Sequence, residues 1–216
     1  MPDWFPEAAA AVLAAVFAIT FHEAAHGYAA LALGDDTAKR AGRISLNPIR
    51  HVDPVGTLLV PGIMVLGQLL TIGRVEAMFG WAKPVPVNFN RLRHPKRDMI
   101  WVAAAGPGAN LFMAILWALF LTFQETIGLG EAFFRYMAQA GIQINLVLMA
   151  LNLLPIPPLD GGRIMVGLLP NKLAYPLARV EPYGFFIIIG LLVTGTLGFF
   201  LAPFMAIGDF IVGLFR

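Results

Sequence analysis

The chain contains no cysteine and few charged residues. Without thiolates neither a disulfide nor a Cys-ligated metal site can form, so any metal must be bound by His, Asp or Glu side chains. Charged residues make up only 13% of the 216 residues, whereas 58% are apolar and the mean hydropathy is +0.74. This balance excludes an ordinary soluble globular domain and makes the lipid bilayer the expected solvent. No nucleic-acid partner is expected at a net charge of only +2.

Long apolar stretches dominate the chain, and each can cross a hydrocarbon core, which takes about 20 helical residues. They cover residues 8–33, 99–123, 137–159 and 184–208. We expect an all-α polytopic membrane protein with five or six transmembrane helices. No polar stretch is long enough to hold a separate core, so residues 1–216 are expected to form a single membrane-embedded domain. The oligomeric state is left open.

Positive charge is distributed unequally along the chain. The positive-inside rule assigns 13 of the 15 Lys and Arg residues to the cytoplasmic side. It places the loop 124–136 outside and the loop 161–183 inside. Residues 184–201 then cross outward, and the tail after Pro203 is marginal as a returning span at only about 13 residues.

A further segment, residues 54–80, has an apolar run at 54–73 that is flanked by basic residues on both sides, including Lys39 before it and Arg74 after it. It is therefore expected to start and end in the cytoplasm as a re-entrant segment, with Pro61-Gly62 as a break near its middle. Asp53 before Pro54 predicts a helix N-cap at its start. The alternating pattern from Trp81 to Phe89 predicts an edge strand or a small β-hairpin.

Three reactive side chains lie inside the first apolar stretch, in His22-Glu23-Ala24-Ala25-His26. Residues four apart on a helix project from one face, so the two imidazoles can grip a single cation. Glu23 can act as general base on a water without binding the metal itself. Because ionisable groups in hydrocarbon are costly, they are by default functional. The alternative is a His–Glu hydrogen-bond network without a metal.

Two imidazoles leave a catalytic zinc site one protein ligand short, and Asp160 is the carboxylate best placed to complete it. It follows the stretch 137–159, which is expected to run in the same direction as the stretch 8–33, so their inner ends lie at one depth. The neighbouring prolines are expected to unwind the helix end, and Gly161-Gly162 to allow a positive-φ backbone that turns the carboxylate inward. The alternative is a solvated residue at a helix C-terminus.

Three elements in this order resemble the site-2 protease family of intramembrane zinc metalloproteases. The first is the HExxH motif at 22–26, and the second is AGPGAN at 105–110, which is similar to that family's GPxxN element. The third is NLLPIPPLDGG at 152–162. The match covers roughly residues 8–165, the catalytic core, with C-terminal helices at about 184–216. The resemblance implies a minimal form without the PDZ or CBS domain of the best-known members.

By this resemblance one catalytic Zn²⁺ is bound by His22, His26 and Asp160, and Glu23 activates the attacking water. Asn110 and Asn152 would engage the substrate backbone or the developing oxyanion. For both asparagines, hydrogen bonding between helices is the alternative.

The implied activity is hydrolysis of peptide bonds in or near transmembrane segments of membrane proteins. The partners are then a transmembrane protein substrate and the lipid bilayer of the cell membrane, with the active site open toward the cytoplasm. His51 could line substrate entry or contact the metal, and a plain interfacial position is the alternative. Two other functions are weighed: a metal ion transporter or channel, and a catalytically silent homologue that acts as a binding partner. The clustering of ionisable groups at one depth argues against the first, and the intact Glu23 against the second.

Overall fold

The computed structural model describes residues 5–73, 80 and 82–215. Its α-helices in chain order are α1 (Phe5–Ala32), α2 (Thr37–Arg40), α3 (Val60–Thr71), α4 (Pro95–Phe123), α5 (Ala132–Asn152), α6 (Asp160–Leu168), α7 (Asn171–Ala178), α8 (Gly184–Val193) and α9 (Leu197–Gly213). No strand is found within the described residues, so the all-α class is confirmed there and the predicted edge strand or hairpin is not.

The centre of the molecule is a bundle of α1, α4 and α5, which pack pairwise against one another. Small residues recur every fourth position on the face that α1 turns inward, where Ala10, Ala14 and Ala18 are fully buried. Such residues let helix backbones approach closely, which is how helices associate in a membrane. A second layer forms where α9 packs on α4 and α5, around the buried side chains Ala114, Ala118, Ile142, Leu146, Met149 and Val212.

Polar contacts establish the relative directions of α1 and α4. The Asn110 Nδ2 lies 3.3 Å from the Ala18 carbonyl oxygen, and the His26 Nδ1 lies 2.7 Å from the Val102 carbonyl oxygen. Residue numbers therefore rise along α1 as they fall along α4, and the two helices are antiparallel.

The same reasoning applies to α5. Its Asn145 meets Asn110 of α4, and its Gly141 lies against the ring of Trp117, seven residues further along α4. Hence α5 is antiparallel to α4 and parallel to α1, as predicted. The C-terminal ends of α1 and α5 lie at one end of the bundle, which is where the candidate ligands lie.

The segment between α1 and α4 leaves the bundle and returns to the same end. The Lys83 N–H donates to the His51 carbonyl oxygen at 2.9 Å, and the Arg93 N–H donates to that of Leu33 at 3.1 Å. The chain thus makes no net crossing between residues 51 and 83, which agrees with the prediction that residues 54–80 start and end on one side. We call the segment 51–83 the excursion. Residues 82–88 have no regular structure and lead into a 3₁₀ turn, Phe89–Arg91. Trp81 and Arg74 lie outside the described residues.

The predicted break at Pro61-Gly62 is wrong. A π-helical turn, Pro54–Leu59, passes directly into α3, whose first turn contains Pro61. Proline is tolerated there because the first N–H groups of a helix need no intrahelical acceptor. The predicted N-cap is confirmed, since the Asp53 Oδ1 accepts the N–H groups of Val55 and Gly56 at 3.0 and 2.7 Å.

The C-terminal half also departs from the predicted boundaries. The third apolar stretch, predicted as 137–159, is helical only to Asn152, and the predicted loop 161–183 contains α6 and α7. The predicted crossing at 184–201 is interrupted at Gly195, whose φ of +71° ends α8, whereas Pro203 lies within α9. Within the described chain, three helical stretches are long and apolar enough to cross a membrane: Pro6–Ala32, Pro95–Phe123 and Asn171–Val193.

Candidate metal centre

Three side chains from α1 and α6 converge at the end of the bundle. The Nε2 atoms of His22 and His26 are 3.1 Å apart, and each lies 3.3 Å from the Oδ2 of Asp160. His22 and Asp160 are buried, with 8% and 5% of their surface exposed. Among the described residues this is the group of His and carboxylate side chains close enough to hold a metal ion. The two imidazoles meet because four residues bring them onto one face of α1.

Hydrogen bonds to the Nδ1 atoms of both rings determine which ring nitrogens are unprotonated. The His22 Nδ1 lies 2.6 Å from the Asn110 Oδ1, and the His26 Nδ1 lies 2.7 Å from the Val102 carbonyl oxygen. Both partners are acceptors, so each Nδ1 carries the proton and, in a neutral ring, each Nε2 presents a lone pair. Backbone and amide oxygens commonly orient metal-binding histidines in this way.

Three lone-pair atoms therefore face one another, and the Asp160 Oδ2 has no hydrogen-bond partner among the described residues. Such a group is repulsive unless a cation lies between its members. Zinc bound tetrahedrally by N and O at about 2.0–2.1 Å requires ligand atoms about 3.3 Å apart. The observed separations fit that requirement, so these residues suit a zinc ion.

Asp160 reaches this position differently from what the sequence predicted. It is the first residue of α6 and not the last of α5, so the positive end of a helix dipole lies at its carboxylate. Neither Gly161 nor Gly162 has a positive φ, contrary to the prediction. Their role is close packing, because a Cβ on Gly161 would meet the Leu153 carbonyl and one on Gly162 would meet the backbone of Pro157.

Glu23 lines the same cavity, which has a volume of about 270 Å³. Its Oε2 accepts the N–H of Val85 at 2.7 Å, so the segment 82–88 forms one wall of the site. Asn152 also lines the cavity, and its Nδ2 donates to the Leu148 carbonyl oxygen at 3.0 Å. Asn152 thus lies in the wall of the cavity that Glu23 also lines.

Asn110 is not placed where substrate could reach it. It is fully buried, and its amide is used by His22, by the Ala18 carbonyl and by Asn145. The hydrogen bonding between helices that was weighed as its alternative is what the structure contains.

His51 lies away from the three ligands and lines a second, mostly apolar cavity. Its Nε2 lies 2.8 Å from the Ser45 carbonyl oxygen, and this hydrogen bond stabilises the loop between residues 45 and 51.

Sequence reasoning missed Arg163 and Val85. Arg163 lines the same cavity as Glu23 and places its guanidinium 5.6 Å from the centre of the Phe89 ring. Its position three residues after Asp160, on the same helix face, could have indicated it. No sequence signal indicates Val85, because it acts through a backbone N–H.

Comparison with known proteins identifies the family of the chain. The model of the family described as Peptidase family M50 matches residues 126–194, which include Asp160. The Bacillus subtilis (strain 168) protein named "Putative zinc metalloprotease YwhC" is 40% identical over 210 residues, 94% of this chain and 90% of that protein. The chain belongs to peptidase family M50.

Two relatives named "Putative zinc metalloprotease Rip2" are less similar to the chain. The Mycolicibacterium smegmatis protein is 29% identical over 184 residues and the Mycobacterium tuberculosis H37Rv protein 27% over 185, and the chain spans 66% and 64% of their lengths. No solved structure matches the chain. Membership of M50 confirms the resemblance to site-2 proteases and implies Zn²⁺ as the cofactor.

Proposed function

We propose that the chain is an intramembrane zinc endopeptidase that hydrolyses peptide bonds in or near transmembrane segments of membrane proteins. The observation that carries the proposal is the convergence of the His22, His26 and Asp160 ligand atoms in a cavity that Glu23 also lines. A hydrolytic metal centre needs three protein ligands and a separate base beside them. This M50 member has all four side chains in one place.

His22, His26 and Asp160 would hold the zinc ion, which would supply Lewis acidity to polarise the scissile carbonyl and lower the pKa of water toward about 7. Glu23 takes the proton from the attacking water and returns it to the leaving amine. Since Val85 donates to its Oε2, we assign the proton transfer to its Oε1. The N–H of Val85 also fixes the orientation of the carboxylate.

Asn152 is the candidate for stabilising negative charge on the substrate. Its side-chain amide has two hydrogens, and the bond to Leu148 uses one of them. The second is free to point into the cavity, where it can donate to the oxygen of the tetrahedral intermediate. Removing one donor of this kind costs about 10²–10³ in kcat in other hydrolases.

The proposal is tested with two variants of the detergent-purified protein and a tagged single-span substrate. Glu23→Gln should retain about one zinc per chain but lose cleavage by about 10²-fold or more, because the base is absent while the ligands remain. His22→Ala should lose both the metal and cleavage. Metal analysis and product bands on a gel measure the two properties, with and without a zinc chelator.

Glu125→Gln is the matched control, since this Glu lies just after the C-terminal end of α4, away from the metal centre, with 72% of its side chain exposed. It should leave metal and cleavage unchanged. If Glu23→Gln cleaves as well as the parent, Glu23 is not the base. Zinc flux into vesicles without cleavage would point to a transporter, and substrate binding without cleavage to a silent homologue.

A further inference from the structure

Behind His22, on the side away from the catalytic cavity, the centre of the bundle contains two buried amides. Asn110 of α4 and Asn145 of α5 are both 0% exposed. Their side chains bond to each other, with the Asn110 Nδ2 2.9 Å from the Asn145 Oδ1. Burying amides in an apolar interior is costly unless every group is paired, so their placement calls for a reason.

Backbone carbonyls set the direction of this hydrogen-bond chain. The Asn145 Nδ2 donates to the Gly141 carbonyl oxygen at 2.8 Å, so the Asn145 Oδ1 must face Asn110 and act as an acceptor. Asn110 therefore presents its Nδ2 to Asn145 and its Oδ1 to the His22 Nδ1. The order of donors and acceptors admits no flipped amide, because a flip would set two donors or two acceptors against each other.

We propose that Asn145 is a positioning residue of the metal centre, which holds the Asn110 amide in one orientation and thereby fixes the tautomer of His22. The inference rests on the proposed function, since it takes His22 as a metal ligand. With the proton held on Nδ1, the Nε2 lone pair is always directed at the metal. Asn145 touches neither metal nor substrate and acts only through Asn110.

The two histidines differ in this respect. His26 donates to the Val102 carbonyl, a backbone acceptor that cannot turn around. His22 relies on a side-chain amide, which can present either its oxygen or its NH₂ group unless a neighbour decides. Two acceptors of the Asn110 Nδ2 decide its orientation, the Ala18 carbonyl oxygen at 3.3 Å and the Asn145 Oδ1 at the shorter 2.9 Å. Loss of the Asn145 side chain therefore weakens the orientation of one ligand of the three and leaves the other two in place.

The test is the zinc affinity of Asn145→Leu, measured by chelator competition on the detergent-purified protein. Leu removes the closer acceptor of the Asn110 Nδ2 and leaves only the longer contact to the Ala18 carbonyl oxygen, so the Asn110 amide flips more readily and part of the His22 population carries its proton on Nε2. Loss of such an outer-shell partner weakens metal binding by about 10–100-fold. In the metal-free protein labelled with ¹⁵N-histidine, the His22 signal should change from the Nδ1–H form to a mixture, and His26 should not change.

Ile142→Ala is the matched control. Ile142 lies on the same face of α5 and packs in the buried cluster with α4 and α9, so its truncation loosens the bundle without touching the amides. It should lower the melting temperature and leave zinc affinity within about twofold of the parent. Equal losses of affinity in Ile142→Ala and Asn145→Leu would overturn the proposal, since a general loosening would then explain both.

A double variant tests whether Asn145 acts through Asn110. Asn110→Leu should itself weaken zinc binding. Adding Asn145→Leu should then cause no further loss, because the effects of substitutions in one hydrogen-bond chain are not additive. Additive losses, or wild-type affinity in Asn145→Leu, would overturn the inference. If His22→Ala still binds zinc as the parent does, the proposed ligand set fails instead, so the two failures are distinct.

Discussion

Gly106 of α4 faces the two imidazoles at a distance that no side chain could occupy. A Cβ built on it would meet the His26 Nε2 and lie 2.6 Å from the His22 Nε2. Gly106→Ala should therefore push the ligands apart and reduce the bound zinc to a small fraction of the parent's. Metal analysis of the purified variant, together with its melting temperature, measures the effect.

Gly108, two residues further along the same helix, provides the control, because a Cβ there would meet nothing within 4 Å. Gly108→Ala carries the same change in helix propensity and should keep its zinc. Equal zinc content in the two alanine variants would show that α4 does not approach the imidazoles as described.

The spacing of single residues predicted part of this site and missed the rest. His22, Glu23 and His26 share one helix, so the period of that helix alone predicts their common face. The position of Asn110 could not be predicted. A sequence does not tell whether an amide faces the substrate cavity or hydrogen-bonds to the far side of a metal-binding imidazole. At Gly161-Gly162 the sequence predicts a positive-φ backbone, but glycine serves equally where two backbones touch.

The connecting segment 82–88 is hydrogen-bonded to two carboxylates, one in α1 and one in the loop that follows α1. Glu23 accepts the N–H of Val85, and the Oδ2 of Asp35 accepts the N–H of Asn88 at 2.6 Å. Asp35 lies beyond the apolar part of α1 and is fully buried. Burial alone would raise its pKa. Hydrogen bonds from the hydroxyl and N–H of Thr37 and from Asn88, with the charge of Arg91, outweigh burial and lower the pKa below its ordinary value.

Asp35→Asn should destabilise the protein by about 1–3 kcal/mol at neutral pH, the cost of leaving buried donors poorly paired. Because the folded-state pKa is depressed, the carboxylate's contribution is complete above the ordinary Asp pKa of about 3.9 and is lost as pH falls through the lower folded value. The gap in melting temperature between parent and variant should therefore persist down to about pH 4 and shrink below it.

Asp36→Asn is the comparison for that experiment. The Asp36 carboxylate is 33% exposed and pairs with Arg40 and Arg91 at the surface. The substitution should therefore lower the free energy of unfolding by only about 0–1 kcal/mol. A larger loss of stability from Asp36→Asn than from Asp35→Asn would contradict the conclusion that Asp35 holds the segment 82–88 in place.

Helices were easier to predict than their ends. Apolar length located α1 and α4, but nothing in hydropathy separates α5 from α6, and the prolines between them only indicate that one helix stops. The new helix beginning at Asp160 depends on packing of Gly161 and Gly162 against residues 153–157. The end of α8 likewise follows from the left-handed backbone of Gly195, a residue that sequence reasoning passed over in favour of Pro203.

For the whole molecule, the parallel arrangement of α1 and α5 explains why residues 134 positions apart, His26 and Asp160, can share one ion. An odd number of crossings between α1 and α4 would have put Asp160 at the far end of the bundle. The hydrogen bond between Lys83 and His51 shows that the chain leaves the bundle and returns to it at the same end. Which side of the membrane this end faces follows only from the distribution of Lys and Arg, and stays a prediction.

The lack of native cysteine makes that prediction testable by labelling, because each introduced thiol reports alone. Ile49→Cys and Asn90→Cys flank the excursion, Lys172→Cys lies in α7, and Thr126→Cys lies in the loop between α4 and α5; all four positions are exposed. A membrane-impermeant maleimide added to intact cells should label only Thr126→Cys, and permeabilisation should expose the other three. Labelling of Ile49→Cys and Asn90→Cys from opposite sides would mean that the excursion crosses the bilayer. Labelling of all three from outside, with Thr126→Cys protected, would mean that the metal centre opens away from the cytoplasm.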